Sequence, residues 1–246
     1  MTTVAATLLF AAASAVAAPA AALALLAEEN PPFSHTENGK LQGAAVEVVR
    51  EMVSRAHVQA SFEVVPGDKA IVRAQAERDT CVVATPRLEN RQRLFTWIGP
   101  IATSLWAVYG RNDFTPTIRT VKDLAPYRIG ALARDPKAEF LRENGVRDVR
   151  ALADDSLNPQ RLFLARDNPD YIDLWITDLH SSRTVAKAAK VTDIKLVFIA
   201  SEQPLFLACS PQTDAKSLKA LSGALDEMKA DGSLQRLAEP EKRTRP

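Results

Sequence analysis

CVVATPRLENRQRLFTWIGPIATSLWAVYG, residues 81–110, opens as a short apolar run, Cys81-Val82-Val83-Ala84, and turns polar at Thr85-Pro86. Three guanidinium groups follow, on Arg87, Arg91 and Arg93. A strand that ends in fixed donors suits capture of an anion, because a planar guanidinium grips a carboxylate with two parallel hydrogen bonds. After Phe95-Thr96-Trp97 a second apolar run ends in Leu105-Trp106-Ala107-Val108-Tyr109. The segment reads as a ligand-gripping turn followed by a strand that leaves one lobe for another.

Upstream, residues 23–26 read as a short buried strand, stopped by Glu28-Glu29-Asn30-Pro31-Pro32-Phe33, because prolines fit neither ladder nor helix. Thr36-Glu37-Asn38-Gly39 is a turn. From 44 to 56, Ala45, Val46, Val49, Met52, Val53 and Ala56 recur at helical spacing. Residues 61–65 alternate as a strand and end at Pro66-Gly67, and a second helix is expected over 69–77. The rhythm is β-α-β-α-β, which implies a parallel sheet with helices on its faces.

Downstream, Gly110-Arg111-Asn112-Asp113 and Thr115-Pro116-Thr117 mark a linker, and the β/α rhythm restarts. Strands are expected over 128–132, 149–152, 171–177, 195–199 and 205–209. The last of these returns the chain to the first lobe. Asp135-Pro136 opens a helix that Gly145 closes, Asp as the cap and Pro in the first turn. Further helices are expected over 158–165, 178–190 and 214–230, with a short one at the end. Two lobes with the chain leaving and returning between them leave a cleft, where small ligands bind beyond the carboxyl ends of strands.

The 246 residues carry a net charge of +1 and are 46% hydrophobic and 25% charged, which argues for a folded chain and gives no electrostatic case for nucleic acid. Residues 2–26 contain no charged side chain, and Ala15-Val16-Ala17 and Ala18-Pro19-Ala20 both fit small-x-small cleavage sites. This fits a removed export signal over residues 1–20, cut near Ala17–Ala20; the alternative reading of the same apolar run is a membrane anchor or a buried helix. Cys81 and Cys209 both sit in strand-like runs; an exported protein can pair them, and free buried cysteine is equally at home there. His35, His57 and His180 have no metal-ligand spacing, and neither a nucleophile elbow nor a phosphate loop is present. No metal or cofactor is expected.

An ordered set of motifs carries a family resemblance: Glu-Asn-Pro-Pro-Phe after the first strand, Gly39-Lys40-Leu41-Gln42-Gly43, Thr85-Pro86-Arg87-Leu88-Glu89-Asn90-Arg91, and Phe95-Thr96-Trp97-Ile98-Gly99-Pro100-Ile101. Asp123-Leu124, Arg128-Ile129-Gly130, Asp173-Leu174-Trp175 and Met228-Lys229-Ala230-Asp231-Gly232-Ser233-Leu234 continue it. The chain resembles the periplasmic solute-binding proteins of family 3, the polar amino-acid type. The resemblance implies an α/β protein with the two-lobed type II periplasmic binding fold, each lobe a mainly parallel sheet flanked by helices. Its first lobe would be residues 21–109 and 207–246, its second 110–206.

It also implies a function: capture of a small carboxylate-bearing, amino-acid-like solute for delivery to the membrane permease of an ABC-type transporter, by a periplasmic monomer that is not an enzyme. Arg91 matches the family's carboxylate-binding arginine and Thr85 lies near its hydroxyl or backbone donor. Asp178 matches the acid that meets the ligand's amino group, and Asp135 lies where the second lobe offers helix N-terminal amides. Arg87 is a further candidate. Asn30 and Gly67 stand where relatives often carry aromatic residues. Two alternatives are an enzyme on the same scaffold, resembling dehydratases of cyclic acids with Glu28 or Glu29 as general acid, and a ligand sensor acting on a partner in trans.

Overall fold

A computed structural model describes residues 22–238, so the expected export signal lies outside the described residues. Strand β1 (Leu23–Ala27) pairs in parallel with β4 (Ala60–Val64) on one side and β5 (Thr80–Pro86) on the other. Thr80 to Thr85 are all buried, as a strand covered on both faces requires. The covers are α1 (Ala44–Ala56) and α2 (Gly67–Ala76). Ala45, Val46, Val49 and Met52 of α1 are fully buried, so the helical spacing marked the core face. A hairpin of β2 (His35–Glu37) and β3 (Lys40–Gln42) turns through Asn38 and Gly39, both at positive φ, the geometry of a two-residue type I′ turn.

Two long strands organise the rest. β6 (Thr96–Arg111) and β10 (Ile194–Cys209) run antiparallel to each other from Thr96 opposite Cys209 to Arg111 opposite Ile194. At one end, Ile98, Ile101, Ala102, Leu205 and Leu207 join a core with Leu25, Val49 and Met52. At the other, Trp106 and Val108 join a separate core with Leu124, Ile129, Leu141 and Ile176. Residues 195–199 and 205–209 are therefore parts of a single strand, not two. Ser201-Glu202-Gln203-Pro204 reads as a break, but there the strand passes between the two cores, where no apolar face is needed. Irregular register near Leu196, Ile199 and Leu205 lets the ladder continue through it.

The second half is built on β7 (Ile129–Leu132), parallel to β8 (Val149–Leu152) and to β9 (Leu174–Asp178). Helix α3 (Pro136–Glu143) carries Asp135 as its cap, and Gly145 follows it at φ 89. The helix expected over 158–165 is only α4 (Asn158–Arg161); Phe163 and Leu164 bond three residues back and end it in tight turns. Helix α5 (Leu179–Ala188) follows β9 directly. After β10, α6 (Ala215–Ala230) and α7 (Ser233–Ala238) return to pack near α1. The eight-stranded order is β4-β1-β5-β10-β6-β9-β7-β8. This is the two-lobed α/β architecture the motifs implied.

Cys81 and Cys209 are paired as a disulfide. They face each other in the antiparallel β5–β10 register and are fully buried, so the bond fastens the returning strand to the centre of the first core.

Candidate functional site

A cleft of about 990 Å³ lies between the two halves. Its wall on the first half is Glu28, after β1; Gly67, Asp68 and Ile71 of α2; Thr85 and Pro86 at the end of β5; and Arg91. Its wall on the second half is the turn from Leu132 to Asp135 after β7, one side of α3 with Glu139 and Arg142, and Ala153 after β8. All these strands point their carboxyl ends at the cleft, the usual placement of a site in a parallel sheet. Ala84 within β5 and Arg134 before α3 both hold left-handed backbone, at φ 59 and 60, beside the cleft. Non-glycine residues take that conformation at a cost, and such positions cluster at sites.

Of the residues singled out in the sequence, the cleft brings together Arg91, Thr85, Asp135, Glu28 and Gly67. Arg91 ends a single tight turn (Glu89–Arg91), and its side chain is 21% exposed. Its Nη2 lies 3.9 Å from Oε2 of Glu139 across the cleft, and Asn90 Nδ2 donates to the other oxygen of Glu139 at 2.7 Å. A second contact spans the mouth with the charges reversed: Arg134 Nη1 donates to Asp68 Oδ2 at 2.6 Å.

Asp135 has two duties. One oxygen accepts from the Lys137 backbone N–H at 2.7 Å and caps α3; the other accepts from Lys137 Nζ at 2.9 Å. The Lys137 ammonium is buried against the face of Trp106, 5.7 Å from the ring centroid. Burial opposes its charge, but the carboxylates of Asp135, Asp178 and Asp155 outweigh this and hold it above the ordinary lysine range. Lys137 was missed in the sequence; only its place two residues after a capping aspartate hinted at it.

Glu28 differs from the other acids of the cleft. Its carboxylate makes no hydrogen bond or ion pair with any described residue. It rests against Gly67, where a Cβ would come within 1.9 Å of its Oε2. Burial pushes its carboxyl group up from the ordinary glutamate range. Asp135 and Asp68 push the same way, against Lys137 and Arg91. Glu29, by contrast, is exposed and accepts from Thr36.

Asn30, Arg87 and Asp178 do not reach the cleft wall. Asn30 forms a backbone bridge with Ser34. Arg87 is exposed, with its guanidinium 6.0 Å from the Trp97 ring centroid. Asp178 is 3% exposed, and both its oxygens are engaged: Oδ2 by the Ser104 hydroxyl at 2.6 Å, Oδ1 by the His180 backbone N–H at 2.8 Å. Burial raises its carboxyl group, but the bonds from His180 and Ser104 outweigh that and hold it below the usual range. It caps α5, a role its position before the helix also suits. Trp106 and Trp175 are core residues.

A smaller cavity of about 390 Å³ lies beside the crossing strands, between Ile101, His180, Glu202 and Leu234. Among the described residues no group of three His, Cys, Asp or Glu could hold a metal ion, and no helix is long and apolar enough to cross a membrane.

With this geometry in view, residues 24–240 match the bacterial extracellular solute-binding proteins, family 3. The L-cystine-binding protein TcyJ of Escherichia coli (strain K12) is 28% identical over 213 residues, covering 85% of this chain and 77% of that protein. A histidine kinase sensor domain with similarity to periplasmic binding proteins superposes with a TM-score of 0.75 at 17% identity, over 88% of this chain and 94% of its own. An ancestral arginine-binding protein bound to glutamine gives 0.70 at 21% identity, over 88% and 95%. At those identities the two structures speak for the fold alone. The chain belongs to the bacterial extracellular solute-binding proteins, family 3.

Proposed function

We propose that this protein captures a small, carboxylate-bearing, amino-acid-like solute in the cleft and delivers it, as a periplasmic monomer, to the permease of an ABC-type transporter. The observation that carries this is Arg91, a guanidinium on the cleft wall with one distant acid in front of it. A ligand carboxylate would displace Glu139 and take two parallel bonds from Arg91, which one contact at 3.9 Å does not saturate. Thr85 would add a donor from the end of β5. The naming of TcyJ as an L-cystine-binding protein supports an amino-acid-like ligand.

The lobes would hinge on β6 and β10 where these strands pass from one core to the other, near Thr103 and its partner Pro204. That draws the boundary a few residues before Tyr109 and Leu207. Closure would exclude water and strengthen the charge contacts by lowering the local dielectric.

The test is calorimetric titration and thermal shift of the mature protein against L-cystine, L-arginine and L-glutamine. A true ligand at about a hundred times its Kd stabilises by about 2.7 kcal/mol. Arg91→Ala should remove the shift; an unchanged affinity would put the carboxylate elsewhere.

One observation favours a second reading, an enzyme on this scaffold. Glu28 is a half-buried carboxyl group that burial pushes up from the ordinary glutamate range, the direction a general acid needs. Recovery of a dehydrated product from a cyclic acid such as prephenate, rather than the intact solute, would select that reading.

A further inference from the structure

Two acids reach across the cleft, in opposite directions. Asp68 of α2 accepts from Arg134 of the second half at 2.6 Å, at the mouth, where the Arg134 side chain is 80% exposed. Glu139 of α3 reaches from the second half to the first. Its Oε1 accepts from Asn90 Nδ2 at 2.7 Å, and its Oε2 lies 3.9 Å from Nη2 of Arg91. A carboxylate of the protein itself therefore stands before the guanidinium that a solute's carboxylate would need.

The local structure fixes this placement. Asp135 caps α3 and is itself held by Lys137, which anchors the start of the helix. Asp135, Ala138, Glu139 and Arg142 then fall on the side that lines the cleft, at spacings of three and four residues. Asn90 and Arg91 are neighbours in the single turn Glu89–Arg91, so two adjacent residues face the two oxygens of one carboxylate. Glu139 also lies in the first turn of α3, where a negative charge complements the helix dipole. That role needs no partner in the opposite half.

We propose that Glu139 is a built-in competitor for the solute: it occupies the solute's place at Arg91, is held there by Asn90, and must leave before a solute's carboxylate can bind. This rests on solute capture at Arg91 and adds the regulation of that site. A contact made in the free form and lost in the bound form opposes binding by its own worth. One partly exposed ion pair and one hydrogen bond to a charged group together correspond to about three- to tenfold in affinity. The Asp68–Arg134 pair is different. It does not involve Arg91, so no solute carboxylate has to displace it, and it favours closure in the free and bound forms alike.

The experiment titrates L-cystine, L-arginine and L-glutamine by calorimetry into the wild-type protein and into Glu139→Gln, Asn90→Ala and Asp68→Asn. The solute that binds best should bind Glu139→Gln and Asn90→Ala about three- to tenfold more tightly than wild type, or bind only to them. Asp68→Asn should bind it no more tightly than wild type. Asn90→Ala lies outside α3 and carries the test if Glu139→Gln disturbs the helix. It also separates the roles, because loss of a solute contact weakens binding and loss of the competitor's holder tightens it. Variants that melt like wild type yet bind equally or more weakly overturn the proposal. So does an equal gain in Asp68→Asn, which would make looser halves, not competition, the cause. If affinities are equal in wild type and Glu139→Gln and Arg91→Ala abolishes binding, solute capture stands and only the competitor falls. If no compound binds any of the four proteins, amino-acid capture falls and the competitor falls with it.

Discussion

Gly67→Ala separates binding from stability in a single substitution. The added Cβ would lie 1.9 Å from Glu28 Oε2 and 2.9 Å from its Cδ, whereas ordinary contact begins near 3.4 Å. The Glu28 carboxylate ends a flexible side chain, so it is the partner that moves, by about 1.5 Å (3.4 less 1.9). Gly67 begins α2 without positive φ, so alanine meets no backbone strain there. Alanine should gain up to about 0.5 kcal/mol of helix propensity, a rise in Tm of about 1–2 °C. The cationic nitrogen of an amino-acid-like solute about 3 Å from the carboxylate would instead find it at about 4.5 Å. At an effective dielectric of about 20 the lost attraction is about 2 kcal/mol, or roughly tenfold or more in Kd. The assay is a melting curve of the free protein beside a titration with the best-bound amino acid. Tm should hold or rise while affinity falls. Unchanged affinity would refute the contact between Gly67 and Glu28 as a determinant of binding; a fall in both would mean that alanine merely disrupts α2.

Two further outcomes are expected. Glu28 has a folded pKa above its unfolded value, so the unliganded fold loses stability as pH rises from the ordinary glutamate range through the folded value. Glu28→Gln should therefore raise the urea midpoint of the free protein at pH 7 and change it little at pH 4; equal effects at both would remove the charge as the cause. Replacing both Cys81 and Cys209 by serine should cost about 2–5 kcal/mol, because the bond closes a sequence separation of 128 between buried strands; a urea denaturation curve that does not move would refute a stabilising role.

The local elements were legible because their signals are local. Val46, Val49 and Met52 mark the buried face of α1 through a period that any helix obeys, and Asp135-Pro136 starts α3 by satisfying its own backbone N–H groups. Asn38-Gly39 turns the hairpin for the same kind of reason. Arg91 and Thr85 were reached through the motif around them, and the structure sets both on one wall. The chain between Ile199 and Leu205 misled, since polar residues and a proline mean a loop only when nothing else holds the strand. Here β6 holds it throughout.

From the residue order alone came the β/α rhythm, the family pattern, and a guanidinium at the end of β5. These depend on neighbours a few positions apart, whose propensities and spacing act before any long-range contact forms. The pairing of Cys81 with Cys209 and the capture of Asp178 by Ser104, 74 positions away, depended on folding. So did the isolation of Glu28 against Gly67, with Asp68 and Asp135 each neutralised by another residue. Which acid in this cleft remains available to a ligand is a question of which partners have already been taken. Those partners meet only when strands and helices remote in sequence pack side by side.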